Sequence, residues 1–183
     1  MNKLLCAFAL IANLCLAGSL DMSGAKIEWK GFKFANKTAV KGSFSNVSFV
    51  FPKNGATLKD ALVGATAKIN LKNVVTGNPA SEKNLTEAFF LKFEGANITA
   101  KIEDVMEGEK QGTLLLKVRM NKATQFVPMQ YVLTDDGFVA NGVIELKNFK
   151  LQKAFESLQE ACGAMHKNFT WSQVEISLVI PNK

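Results

Sequence analysis

Cysteine, histidine and proline are scarce in this 183-residue chain, which has three, one and four of them. Two of the cysteines, Cys6 and Cys15, fall among the first 17 residues. A chain shortened after Ala17 keeps Cys162 alone and can form no internal disulfide, so its stability has to come from an apolar core. With His166 as the only imidazole, a zinc site requiring several nitrogen or sulfur ligands has no supply. A Ser-His-Asp arrangement could use only that histidine, and no Gly-x-Ser-x-Gly elbow occurs to present a nucleophile. Internal repeats and low-complexity segments are also missing. Basic residues outnumber acidic ones, 22 to 16, but the lysines are scattered and often alternate with apolar residues. That distribution describes a solvated outer face and argues against a nucleic-acid site.

The first 17 residues differ from the rest. Lys3 precedes an uncharged stretch from Leu4 to Leu16, and the small residue Ala17 follows. The stretch is shorter than the roughly 20 residues of a spanning helix, and the expectation is a cleaved signal peptide with export to the periplasm. A lipid-modified Cys15 is disfavoured because Leu14 before it is not small. Residues 18–183 are then expected to form a single domain, large enough for a substantial core.

Most of the remaining chain alternates apolar and polar residues with period two, the mark of half-buried strands. Ile98, Ala100 and Ile102 alternate with Thr99, Lys101 and Glu103; Val174, Ile176, Leu178 and Ile180 alternate with Glu175 and Ser177. Strands are expected over 27–34, 40–51, 65–74, 96–105, 113–120, 125–134, 138–149 and 171–180. Pro52-Lys53-Asn54-Gly55 and Thr76-Gly77-Asn78-Pro79 end the second and third, and Asp135-Asp136-Gly137 predicts a hairpin. Two segments change period. Leu85, Phe89 and Phe93 recur every four residues behind Ser81, a candidate N-cap, and Leu151, Phe155, Leu158, Cys162 and Met165 form a second helical stripe. The expected class is all-β with two short helices, an antiparallel lipocalin-like barrel of about eight strands. That number can close around side chains or one small ligand; an open two-sheet sandwich is the alternative.

Little in this pattern suggests catalysis. Cys162 and His166 stand four apart on the second helix and could form a thiolate–imidazole pair, but a core cysteine and a histidine at a helix C-terminus explain them more simply. Asp135-Asp136 and Glu107/Glu109 are explained by turns. Fourteen phenylalanines against one tyrosine supply an aromatic interior with few polar handles, which suits an oily ligand as well as a filled core. Strand parity and aromatic content select Trp29, Phe34, Phe49, Ile69, Phe89, Phe90, Ile98, Leu116 and Ile176 as lining for an apolar cavity. Of five Asn-x-Ser/Thr triplets, Asn84 in Glu82-Lys83-Asn84-Leu85-Thr86 resembles an extended bacterial glycosylation acceptor.

Several segments, in order and at suitable spacing, resemble the YceI-like family of periplasmic proteins. They are Ala25-Lys26-Ile27-Glu28-Trp29 with Lys41-Gly42-Ser43-Phe44, the Phe89-Phe90 pair followed by Ile98-Thr99-Ala100, Gly112-Thr113-Leu114-Leu115-Leu116-Lys117, and the closing Trp171-Ser172-Gln173-Val174-Glu175-Ile176-Ser177-Leu178. The resemblance implies a lipocalin-like barrel holding an isoprenoid chain, in which no residue is catalytic. Gly24-Ala25 stands where family members often carry His-Ser, and Ser81-Glu82-Lys83-Asn84-Leu85 where they carry Arg-Asp-x-His-Leu. Asn84, Lys83 and Arg119 are the polar residues that could substitute at a ligand's head. The expectation is a non-enzymatic, exported lipid-binding protein that carries or sequesters a polyisoprenoid or other long-chain lipid. It needs no cofactor, metal or nucleic acid; transient contact with a membrane surface and a homodimer stay open. The alternatives are an envelope structural or stress-related barrel without ligand, and an enzyme using Cys162 and His166 on a bound lipid.

Overall fold

The structure is a computed structural model that describes residues 19–53 and 56–183. The expected signal peptide at 1–17 lies outside the described residues, as do Asn54 and Gly55 of the first expected turn.

Among the described residues, ten antiparallel strands form one strongly curled half-barrel. They are β1 (Lys26–Lys33), β2 (Thr38–Phe44), β3 (Ser48–Val50), β4 (Thr66–Asn70), β5 (Val74–Val75), β6 (Asn97–Met106), β7 (Gln111–Met120), β8 (Ala123–Thr134), β9 (Gly137–Glu145) and β10 (Gln173–Pro181). Neighbours run β3-β4-β6-β7-β8-β9-β10-β1-β2-β5. The fully closed, eight-stranded ladder expected from sequence is therefore corrected to an open ladder of ten, ending at β3 and β5. Chain continuity brings those ends together. The segment 38–50 lies beside β1 in its first half and beside β4 in its second, while β5, which follows β4, turns back to pair Val74 with Phe44. The Ser45 N–H donates to the Asn73 carbonyl at 2.9 Å where the two segments pass.

Two-residue turns fix the register of the β7–β8 and β8–β9 hairpins. Asp135 and Asp136 join β8 to β9 as expected, and Gly137 has φ 134° against the Ile180 carbonyl, where a side chain would collide. Between β7 and β8, Asn121 (φ 48°) and Lys122 (φ 59°) both adopt left-handed backbone, the geometry that follows the strands' twist. Asn121 is buried. Its Oδ1 accepts from the Glu94 N–H at 2.7 Å, and its Nδ2 donates to the Phe149 and Lys150 carbonyls at 3.0 and 2.9 Å. Asn121→Ala leaves these three groups short of partners and puts Ala into a strained turn, so urea unfolding is expected to show a loss of about 2–3 kcal/mol.

Three α-helices pack on the sheet or on one another. α1 (Leu58–Leu62), not expected from sequence, starts at a Thr57–Asp60 capping box and buries Leu58, Ala61 and Leu62. α2 (Pro79–Asn84) is capped by Asn78, whose side chain accepts from Ala80 and Ser81 N–H groups, rather than by Ser81. It continues through a π-helical turn at Leu85–Phe89 and a 3₁₀ turn at Phe90–Lys92. α3 (Gln152–His166) buries Ala154, Phe155 and Cys162 against this segment, but Met165, expected on the same stripe, is exposed. Among the described residues no helix is long and apolar enough to cross a membrane.

The core is unevenly filled. On β7, β8 and β9 the inward residues Leu114, Val118, Val127, Met129, Tyr131, Phe138 and Ala140 are fully buried. On β10 and β1 the inward residues Val174, Ile176, Leu178, Ile27 and Trp29 are only half-buried, and Ile180 alone on β10 is fully covered. Apolar residues on an inner wall stay partly accessible where the wall faces empty space.

Candidate functional site: an apolar cavity

That space is a cavity of about 200 Å³ running between the half-filled strands and the helices. Its long wall comes from β1, β10, β4, β6 and β7. Phe49 and Phe51, Phe155 and Leu158 of α3, and Trp171 also line it. Leu85, Phe89, Phe90 and Phe93 enter from the helical segment after Asn78. The lining is almost wholly apolar. It exceeds the apolar void of about 150 Å³ that stays dry and takes up benzene in a small engineered protein.

Small residues make the room. Ala67 of β4 and Ala100 of β6 stand opposite each other on the inner face, and both line the cavity. Gly42 of β2 has a different role, because a Cβ there would lie 2.6 Å from Trp29 Cε2 and 2.7 Å from the Val75 carbonyl. Only glycine lets the Trp29 indole lie flat across β2. The indole Nε1–H is buried there without a hydrogen-bond partner.

Eight of the nine residues selected from sequence surround this cavity: Trp29, Phe49, Ile69, Phe89, Phe90, Ile98, Leu116 and Ile176. Phe34 does not. It follows the last residue of β1 with φ 60°, so strand parity no longer directs it, and its ring packs edge-on against His166 at 5.9 Å. Sequence selection also passed over Phe44, Phe93, Phe155 and Leu158. The helical stripe carried the signal for the last two, and a four-residue spacing from Phe89 carried it for Phe93.

The polar candidates lie elsewhere. Arg119 points outward from β7 opposite Thr99, and Lys83 is exposed on α2. Asn84 is half-buried, with its side chain beside the Cys162 thiol. Burial pushes that thiol above its usual value, against the smaller opposing effects of Asn84 and Lys33. Burial, and then the charge of Lys33, hold His166 below its ordinary value near 6.5. A thiolate–imidazolium pair requires the opposite shifts, a lowered thiol and a raised imidazole. His166 instead faces Thr170 Oγ1 at 3.4 Å. Its ring resonances should titrate below 6.5 in the folded protein. Because the unfolded chain binds that proton more tightly, stability is unaffected well above 6.5 and declines as pH falls through it. His166→Gln should remove that component of the pH dependence in thermal melts. Among the described residues no group of three or more His, Cys, Asp or Glu side chains could hold a metal ion.

The model of the YceI-like domain matches residues 19–180. No curated protein matches the chain. Among solved structures, BcnA of Burkholderia cenocepacia superposes with a TM-score of 0.64 at 13% identity, covering 90% of this chain and 99% of that one. A polyisoprenoid binding domain from Saccharophagus degradans, implicated in plant cell wall breakdown, gives 0.63 at 14% identity, covering 90% and 97%. The YceI protein of Campylobacter jejuni gives 0.58 at 16% identity, covering 80% and 86%. At these identities the likeness is one of fold.

Proposed function

The chain belongs to the YceI-like domain family, and from that premise we propose that it is an exported, non-enzymatic binding protein whose cavity encloses a polyisoprenoid chain. One observation carries the reading: a half-barrel whose inner wall on β1 and β10, around the paired Trp29 and Ile176, is apolar and only partly buried. Each methylene moved from water into such a lining contributes about 0.8 kcal/mol before ordering costs, so a partly enclosed chain is held firmly without polar contacts. The binding of a polyisoprenoid by the Saccharophagus degradans domain of the same fold supports the choice of ligand class. With Arg119 turned outward and Lys83 exposed, the grip on the chain is apolar, and head groups of different kinds are tolerated.

Both tryptophans of the chain, Trp29 and Trp171, line the cavity. Titrating delipidated protein with a polyprenol should therefore change its intrinsic fluorescence saturably and raise its Tm. Unchanged fluorescence and an unchanged Tm at saturating polyprenol would rule the proposal out.

A further inference from the structure

A second recess of about 190 Å³ lies on the far side of the Phe90 and Phe93 rings, over Leu71 and Ala96. The two rings line both spaces, so they alone are shared between the long cavity and this recess. Phe89, Phe90 and Phe93 form a triangle of edge-to-face contacts, with centroids 5.0, 5.1 and 5.6 Å apart. Phe89 and Phe90 are buried, while Phe93 is only half-buried and forms the accessible corner of the triangle. Leu71, 3% exposed, floors the recess; Leu91, 60% exposed, stands at its rim with its side chain in water. Leu91 is an apolar group at the outlet of a mainly apolar recess, whose polar members are Lys72 and Thr86.

The partition rests on irregular backbone. It is carried by the junction of the π-helical and 3₁₀ turns, where Phe89 sits at φ −124° and ψ −66°. Two residues beyond Phe93, Gly95 takes φ 132°, with nothing within 4 Å of the place a Cβ would occupy. π-Helical turns within helices are often found at functional sites, and here the turn aims three rings at one boundary.

Resting on the lipid-binding reading, we infer that Phe93, backed by Phe90, is the residue that sets how long an isoprenoid chain the protein accepts. With the ring in place the chain ends against it. With the ring removed the cavity continues through the recess to Leu91, and the added length lies over buried Leu71 and against Phe90 instead of wholly in water. Discrimination of this kind needs only shape, since one more isoprene unit gains binding energy only where there is apolar space to receive it.

The test uses delipidated wild-type protein, Phe93→Ala, Phe93→Leu, and the double variant Phe93→Ala with Ala96→Trp, which refills the recess. Each is titrated by fluorescence and native mass spectrometry with all-trans prenols lengthening by one unit at a time. Wild-type affinity should rise with length and then reach a plateau. In Phe93→Ala the plateau should move to chains at least one unit longer, with the first added unit tightening binding at least about tenfold. Phe93→Leu should fall between, and the double variant should return to the wild-type length. The same plateau in wild-type and both single variants, with binding otherwise intact, overturns the role of Phe93 and leaves the lipid reading standing. No prenol binding by any of the proteins overturns both.

Discussion

Ala100→Phe should abolish or weaken polyisoprenoid binding by at least about tenfold while leaving the protein as stable as before. Ala100 stands on the inner face of β6, between Ala67 and Val118 on the neighbouring strands, and lines the cavity. A benzyl group added there projects into the roughly 200 Å³ that the ligand would occupy. Large side chains destabilise a core when it is already packed. Here the space is empty, so the added ring gains apolar contacts instead of displacing neighbours, and the expected change in unfolding free energy is under about 1 kcal/mol. Loss of binding with retained stability, read by fluorescence titration beside urea unfolding, separates a ligand cavity from a packing defect. Undiminished binding would place the ligand elsewhere.

Phe138→Ala should cost about 3–5 kcal/mol, the largest stability loss expected for a single substitution in this chain. Phe138 is 0% exposed and stacks on Tyr131 at 5.1 Å, on the half of the barrel that is fully packed. Removing its ring leaves a void between β8 and β9 that rigid neighbours cannot close. Ile176→Ala, on the half-filled wall, should cost only about 1–2 kcal/mol, because its side chain is already partly accessible. Urea unfolding of the two variants measures the asymmetry directly. Equal costs would mean that the two halves are packed alike and that the cavity is filled in solution.

The two halves were also unequally legible in the sequence. β7 to β9 follow their alternation closely, since long strands paired through two-residue turns leave little for distant contacts to alter; Asp135-Asp136-Gly137 marked one of those turns. The turn at Asn121-Lys122 has no glycine to announce it, and its left-handed backbone is held by the buried Asn121 amide. The first half misled because alternation continues across a break. Residues 40–51 read as one strand, but Asn46 at φ 54° divides them, and the two pieces join opposite sides of the barrel. That division is why the ladder has ten strands and two ends. The cavity wall was readable wherever parity held, and it failed at Phe34, the first residue past the end of β1. The partition at Phe90 and Phe93 was not readable, because it depends on a π-helical turn and on a recess that exists only once the turn after β4, the helical segment and the loop before β6 are assembled.

The proposal that the half-barrel holds an isoprenoid lipid in the compartment where the protein resides can be checked on the protein as its own cell makes it. Its most direct test is native mass spectrometry of protein purified from its native source without detergent, followed by organic extraction and identification of whatever is released. A discrete adduct that appears in the extract as a polyisoprenoid is the expected result. A bare polypeptide mass, unchanged after incubation with a panel of polyprenyl lipids, would contradict the claim and leave the apolar interior without a ligand.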